Sequence, residues 1–439
     1  MTIIPYSHTF DHSTLRKMLE HDPLVQRTHA FLAQFRWTVV PDPPIEASQP
    51  GKRPHPQSAY IKALLLKIDA DFASCTQLRR FLLEHPLLVL ELGFRPVLDV
   101  RAPYGFDVQR TVPTARWLGE QQRTLSQSVL QPLLMATAED LCAEIPGLGE
   151  TVAFDVTHLY AFVKERFKKE QQPRGDPDCK LGVKRSTNKE QPDGSTTEEK
   201  EYLWGYGSGV ASATIPGYGD VVVAEYTLPF NENDITYFVP LYLRTVATLG
   251  FFPTHITAEP LSMPGTPIRW SSIAVASPPF LSTSTAIPRA SATAMGCPCV
   301  PMGCVCTPPT SSPTPTATCR NAFAVPLLFP QASGQTCDHP QFLKEKGCVK
   351  DLNWELGGQM RVTLDRQSPL YKGIYHQRTS TERINSQSKE LGIKRPKVRT
   401  LPAVRNLNTL TYLVINARAL QRAWQINACL LTTQLGKIA

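Results

Sequence analysis

Tyr375, Arg378, Glu382 and Lys389 stand at offsets of 0, 3, 7 and 14 in a polar stretch free of proline and glycine. On an α-helix, at 100° per residue, they fall within an arc of roughly 60° on one face. One carboxylate is then bracketed by two permanent cations and a phenol, a set suited to a divalent metal and a phosphodiester. A glutamate among arginines and lysines is more often part of a solvated, salt-bridged helix face. Here the fixed spacing of four residue types over fifteen positions favours the chemical reading.

A second carboxylate sits far upstream. The run Glu150-Thr-Val-Ala-Phe-Asp155-Val-Thr157 reads as a buried strand ending in Asp155. A strand-terminal aspartate that makes a turn is the common alternative. Taken with the late helix, the run resembles the first catalytic aspartate of bacterial insertion-sequence transposases of the DDE class. The four late residues match that group's Tyr-x2-Arg-x3-Glu-x6-Lys signature. The resemblance implies an RNase H-like mixed-sheet catalytic domain that cuts an element at its inverted ends and inserts it by strand transfer. It also implies Mg2+ or Mn2+ held by carboxylates, with Asp155 and Glu382 as first and third catalytic ligands. Arg378 and Lys389 would touch DNA phosphates, and Tyr375 would place the strand. The implied partners are double-stranded DNA, both element ends and target, and a second copy of the chain in a homodimer on DNA.

The second ligand departs from the pattern, since position 259 holds Glu where the family has Asp. The extra methylene of Glu259 moves its oxygens by more than the roughly 0.5 Å tolerance of a preorganised site. From Glu259 to Phe323 the only charged residues are Glu259, Arg269, Arg289 and Arg320, and Pro, Ser, Thr, Ala and Cys dominate. The Cys297/Cys299 and Cys304/Cys306 pairs are spaced more tightly than zinc ligands and have no histidines beside them. A disordered linker is a second reading. A shifted reading frame explains more. Restoring one base in the Glu259 codon lets the degenerate codons permit Asp-Ala-x-Phe-Asp-Ala-Trp-Tyr, which resembles the family's second aspartate and following helix. Residues 259–325 are therefore expected to be an aberrant, frame-disrupted insertion, and this copy weakly active or inactive.

The elements that must position these groups are legible in the patterning. Residues 1–147 read as mostly helical. Within them Tyr60–Ile68, a break at Asp71–Ser74 and Leu78–Leu83 fit a helix-turn-helix capped by Ser74 or Thr76. Arg79 and Arg80 on its second helix are the candidate DNA contacts, although an ordinary helical hairpin has the same pattern. Residues 164–190 form a basic but mixed loop with Lys184 and Arg185. Leu203–Thr214, rich in glycine, and Val221–Leu228 read as strands around a Pro216-Gly217 turn. A helix over 235–249 and a strand over 254–258 complete residues 150–258, the first part of the catalytic domain. Residues 326–439 supply the second part: a helix from about Ser368 to Leu391, a basic run including Lys394 and Arg395, and an apolar-faced helix from Leu407 to Trp424.

Composition sets the outer bounds. The 439 residues have room for two or three domains. A net charge of +8 and a pI near 8.9 favour a polyanionic partner. No run of eighteen apolar residues and no signal-like start are present, so neither a membrane partner nor secretion is expected. The eleven cysteines are expected as free thiols in a reducing, nucleoid-associated cytoplasm. A non-catalytic DNA binder that occupies transposon ends is the competing class. A metal-dependent nuclease without strand transfer is a weaker third.

Overall fold

The structure is a computed structural model. It describes residues 12–42, 54–99, 101–163, 172–190, 196–232, 234–258, 274–275, 320–324, 349–353 and 367–435. The fold is mixed α/β. The chain divides into two compact units, one made of Met1–Pro253 with Thr379–Ala439 and the other of Thr254–Arg378.

In the first unit the N-terminal region is helical as expected: α1 (His12–His21), α2 (Pro23–Leu32), α3 (Gln57–Asp69), α4 (Cys75–Glu84), α5 (Pro86–Glu91), α6 (Val108–Thr111), α7 (Ala115–Thr124) and α8 (Gln127–Glu144). A two-stranded ribbon of β1 (Val97–Leu98) and β2 (Phe106–Asp107) interrupts them. Ser74 caps α4 by accepting from the Gln77 N–H, and Asp71 takes the left-handed conformation at φ 54° that breaks the chain after α3. Leu15, Val25 and Leu87 of α1, α2 and α5 form a small cluster of their own, but most of the buried residues of these helices do not. Leu64, Leu82 and Leu130 share one continuous cluster with Leu159, Tyr206 and Val210 of the sheet and Leu410 of the last helix. The core therefore crosses the boundary expected near residue 147.

The sheet of this unit contains β3 (Thr151–Tyr160), β4 (Lys180–Glu190), β5 (Thr196–Ile215) and β6 (Gly219–Pro229). β5 pairs antiparallel with β3, β4 and β6. Two expectations change here. Asp155 lies in the middle of β3 and does not end it, because Val156–Tyr160 continue the ladder against Gly205–Gly209. Much of the expected loop over 164–190 is strand, since Lys180–Glu190 pair with Thr196–Gly205 as a long ribbon. Cross-strand hydrogen bonding outweighs the weak β propensity of its lysines, asparagine and glutamate.

The glycines of β5 set the distance to α9 (Asp234–Leu249). A Cβ on Gly207 would come within 2.2 Å of the Tyr237 hydroxyl, and one on Gly209 within 2.8 Å of Leu241 Cδ1. The alternate residues of β5 face the other way, towards α11 (Thr379–Glu390) and α12 (Leu401–Leu435). Ser212 meets Ser380 at 2.7 Å, and Ser208 meets the Tyr412 hydroxyl at 2.9 Å. The sheet is thus sandwiched between α9 on one face and α11 with α12 on the other. β6 carries one extra residue at Val223, a bulge, and the Asn416 amide of α12 bonds the Val222 N–H at 2.9 Å and its C=O at 2.8 Å.

The second unit pairs β7 (His255–Ala258) with β8 (Ala274–Val275) and β9 (Arg320–Ala324) with β10 (Val349–Asn353), and ends in α10 (Pro369–His376). β8 and β9 both fall within the segment read as aberrant; the remainder of residues 259–325, including Glu259, lies outside the described residues. Among the described residues no helix is long and apolar enough to cross a membrane.

The single helix expected from Ser368 to Leu391 is two helices. The Gln377 N–H bonds Ile374 O and the Arg378 N–H bonds Tyr375 O, both three residues back, and α11 starts anew at Thr379. Such bonds tighten the turn and shift the phase of the helical residues beyond it. Tyr375 and Arg378 therefore do not share one continuous helix with Glu382 and Lys389.

Candidate metal and nucleic-acid site

Asp155 is half-buried on β3, directly across from Val210 of β5, which is in turn across from Glu225 of β6. Residues in one such row point to the same face. That face is covered by α11, whose serines 380 and 388, Thr381, Ile384 and Asn385 are buried. These positions recur at three- and four-residue spacing, so they form the buried stripe of a helix whose overall sequence is polar.

Three side chains fasten α11 across the strands. Asn385 Nδ2 donates to Asp155 Oδ2 at 2.7 Å on β3. Ser380 meets Ser212 on β5. Arg383 forks onto the two oxygens of Asp220 on β6 at 2.7 and 2.6 Å. Glu382 is exposed and Lys389 half-buried. Both lie on the same side of the helix as Asn385, with Glu382 one turn before it, where Cβ atoms stand roughly 5–6 Å apart. The strand with Asp155 and the helix with Glu382 are therefore in contact.

Asn385 is only 4 % exposed, and its Oδ1 is buried with no hydrogen-bond partner among the described residues. Its amide nitrogen is on Asp155 and Glu382 is one turn away. An acceptor oxygen lacking a donor, next to carboxylates, suits a hard cation that takes oxygen ligands. Asp155 and Glu382 both carry the oxygen donors that Mg2+ or Mn2+ takes. Among the described residues no group of three His, Cys, Asp or Glu side chains gathers to hold a metal.

Glu225 is a different kind of carboxylate. It is fully buried, and its Oε1 accepts from Gln131 Nε2 at 2.5 Å and Thr409 Oγ1 at 2.8 Å. Desolvation pushes its pKa up, opposed by those bonds and by the charge of Arg244. Two strand spacings, roughly 10 Å, separate it from Asp155. The Tyr412 hydroxyl meets Ser208 of β5, and its phenol pKa is raised chiefly by burial and further by the charges of Glu225 and Asp155. This polar layer fixes how α12 lies on the sheet.

The remaining candidates are scattered. Tyr375 is exposed in the second unit, stacked on Tyr371 with ring centroids 5.9 Å apart, and the Arg378 guanidinium lies 5.8 Å from its ring. Arg79 is half-buried and donates to Gln109 Oε1 at 3.3 Å, while Arg80 is exposed on α4. Lys184 and Arg185 are on β4, where the pairing shifts register between Val183 and Arg185. Lys394 and Arg395 are exposed, and Arg395 lies 4.8 Å over the Tyr160 ring.

Sequence reasoning missed Asn385, Arg383, Asp220 and Glu225. One signal was available: small polar residues at core spacing in α11, and Asn406, Asn408, Thr409, Thr411 and Asn416 in α12, are too many for an apolar interface. No family model, curated protein or solved structure matches the chain.

Proposed function

We propose that the chain is a DDE transposase by descent, a polynucleotidyl transferase acting on the ends of an insertion element, with an RNase H-like catalytic domain. The bond from Asn385 to Asp155 carries this reading, because it ties the helix of Glu382 to the strand of Asp155. The tyrosine, arginine, glutamate and lysine spacing supports it independently.

Asp155 and Glu382 hold Mg2+ or Mn2+ in this reading, and Asn385 keeps the Asp155 carboxylate turned towards α11. When bound, the ion supplies Lewis acidity for an in-line displacement at phosphorus. Lys389, on the Glu382 side of α11, offers a cation to a phosphate oxygen. Arg378 and Tyr375 are assigned to the DNA strand by the resemblance. The DNA contacts of Arg79, Arg80, Lys184, Arg185, Lys394 and Arg395, and a homodimer on DNA, belong to the same proposal.

Glu259 in place of aspartate favours a second reading, a non-catalytic protein that occupies element ends. A strand-cleavage assay on duplexes carrying the inverted repeats that flank the gene separates the two. Magnesium-dependent cutting that is lost in Asp155→Ala supports the transferase. Metal-independent end binding without cutting supports the occupant and overturns the enzyme.

A further inference from the structure

A cleft of about 540 Å³ opens in the first unit at the turn between α3 and α4. Its walls carry Lys67 from α3, Arg116 and Arg123 from α7, and Arg395 and Lys397 from the segment after α11, against the single carboxylate of Asp71. The first turns of α4 and α7, at Cys75 and Ala115, also face it. The volume lies in the range of small-ligand sites, larger than one phosphate and of nucleotide size.

Two of the five cations, Arg395 and Arg123, are held by neighbouring side chains. Burial lowers the Lys67 ammonium pKa, and the charge of Lys397 lowers it further. Arg395 is held over the Tyr160 ring, and Arg123 is paired with Glu120. Among the described residues Lys67, Arg116 and Lys397 pair with no carboxylate. Like charges brought together in a concavity repel unless an anion joins them. Arginines fixed in advance lose little freedom when they do bind one.

We infer that this cleft is a phosphate-binding site, taking the phosphoryl oxyanions of a nucleic-acid backbone or of a free phosphate or nucleotide. The inference does not depend on strand cleavage.

Cys75 lines the cleft and reports on it. In the full chain with EDTA present, the rate of Cys75 alkylation by N-ethylmaleimide is followed by peptide mass spectrometry, with the exposed Cys429 as control. The probes are inorganic phosphate, adenosine monophosphate and a short duplex of arbitrary sequence. Slowing at Cys75 by the duplex alone identifies a strand backbone as the occupant. Slowing by phosphate or the nucleotide identifies a free phosphate. In either case the double variant Arg116→Gln/Lys397→Gln loses the protection, and in the duplex case the salt slope of binding falls by about 2. Protection by none of the probes, or protection that survives in the double variant, overturns the site. Because no metal is present, this outcome is independent of the cleavage assay.

Discussion

Asn385 and Asp155 are joined by a 2.7 Å hydrogen bond between a buried helix position and a mid-strand carboxylate. Among the described residues the Asn385 carbonyl oxygen has no donor. Removing the amide in Asn385→Ala takes away one hydrogen bond to Asp155 and costs about 1–3 kcal/mol. Asn385→Asp is more informative, because it sets two carboxylates in contact. That variant unfolds at lower urea than wild type in EDTA and recovers with Mg2+. Urea midpoints with and without the ion measure this, and a deficit that Mg2+ leaves untouched rules out a cation beside Asp155.

Arg383 neighbours Glu382 on α11 and fixes where that helix meets β6. Its partner Asp220 has only 5 % of its side chain exposed, whereas the Arg383 side chain is 49 % exposed. Hydrogen bonding to Asp220 raises the Arg383 pKa, as a close pair requires. Solvent on the arginine side screens the pair, so Arg383→Ala costs about 1–3 kcal/mol, below the range for a fully buried pair broken on one side. Asp220→Ala removes the same fork. Chemical denaturation of both single variants and the double variant returns a coupling of at least about 0.5 kcal/mol. Strict additivity would show that the fork does not hold α11.

Glu225 gives a dependence on pH with a defined sign. Burial holds its folded pKa above the ordinary 4.5 of a glutamate. Between 4.5 and the raised value the folded chain binds the proton that the unfolded chain has released. The contribution of Glu225 to stability is thus full below 4.5 and falls as pH rises through that window. Glu225→Gln keeps an acceptor for Gln131 and Thr409 and removes the titration. The difference in unfolding free energy between variant and wild type grows in favour of the variant as pH rises through the window. A difference that stays flat with pH contradicts a raised pKa.

Much of the scaffold could be read from the residues. Ser74 has the side chain and position of a helix cap, and β5 shows its glycines because α9 approaches too closely for a Cβ. The strand with Asp155 and the helix with Glu382 are each visible locally. Three features are not. β4 is stabilised by pairing with Thr196–Gly205, and its own lysines, asparagine and glutamate give no strand pattern. The break at Gln377–Arg378 carries neither proline nor glycine and depends on two backbone bonds. Asn385 looks like one more polar helix residue until β3 lies beneath it, so its partner cannot be known before the tertiary fold is.

Glu382 is exposed and Asn385 beside it is buried, so the two separate binding from stability on one helix. Glu382→Gln removes a carboxylate from solvent without disturbing the core, and its unfolding free energy stays within about 0.5 kcal/mol of wild type. If Glu382 and Asp155 share an ion, the variant binds Mn2+ more than about 100-fold more weakly, beyond the usual effect of losing an outer partner. Water-proton relaxation measures that affinity in a copy with or without cutting activity. Glu390→Gln, eight residues on and also exposed on α11, is the control and keeps wild-type Mn2+ binding. Equal binding by wild type and Glu382→Gln removes Glu382 from the site, and the transferase reading falls with it.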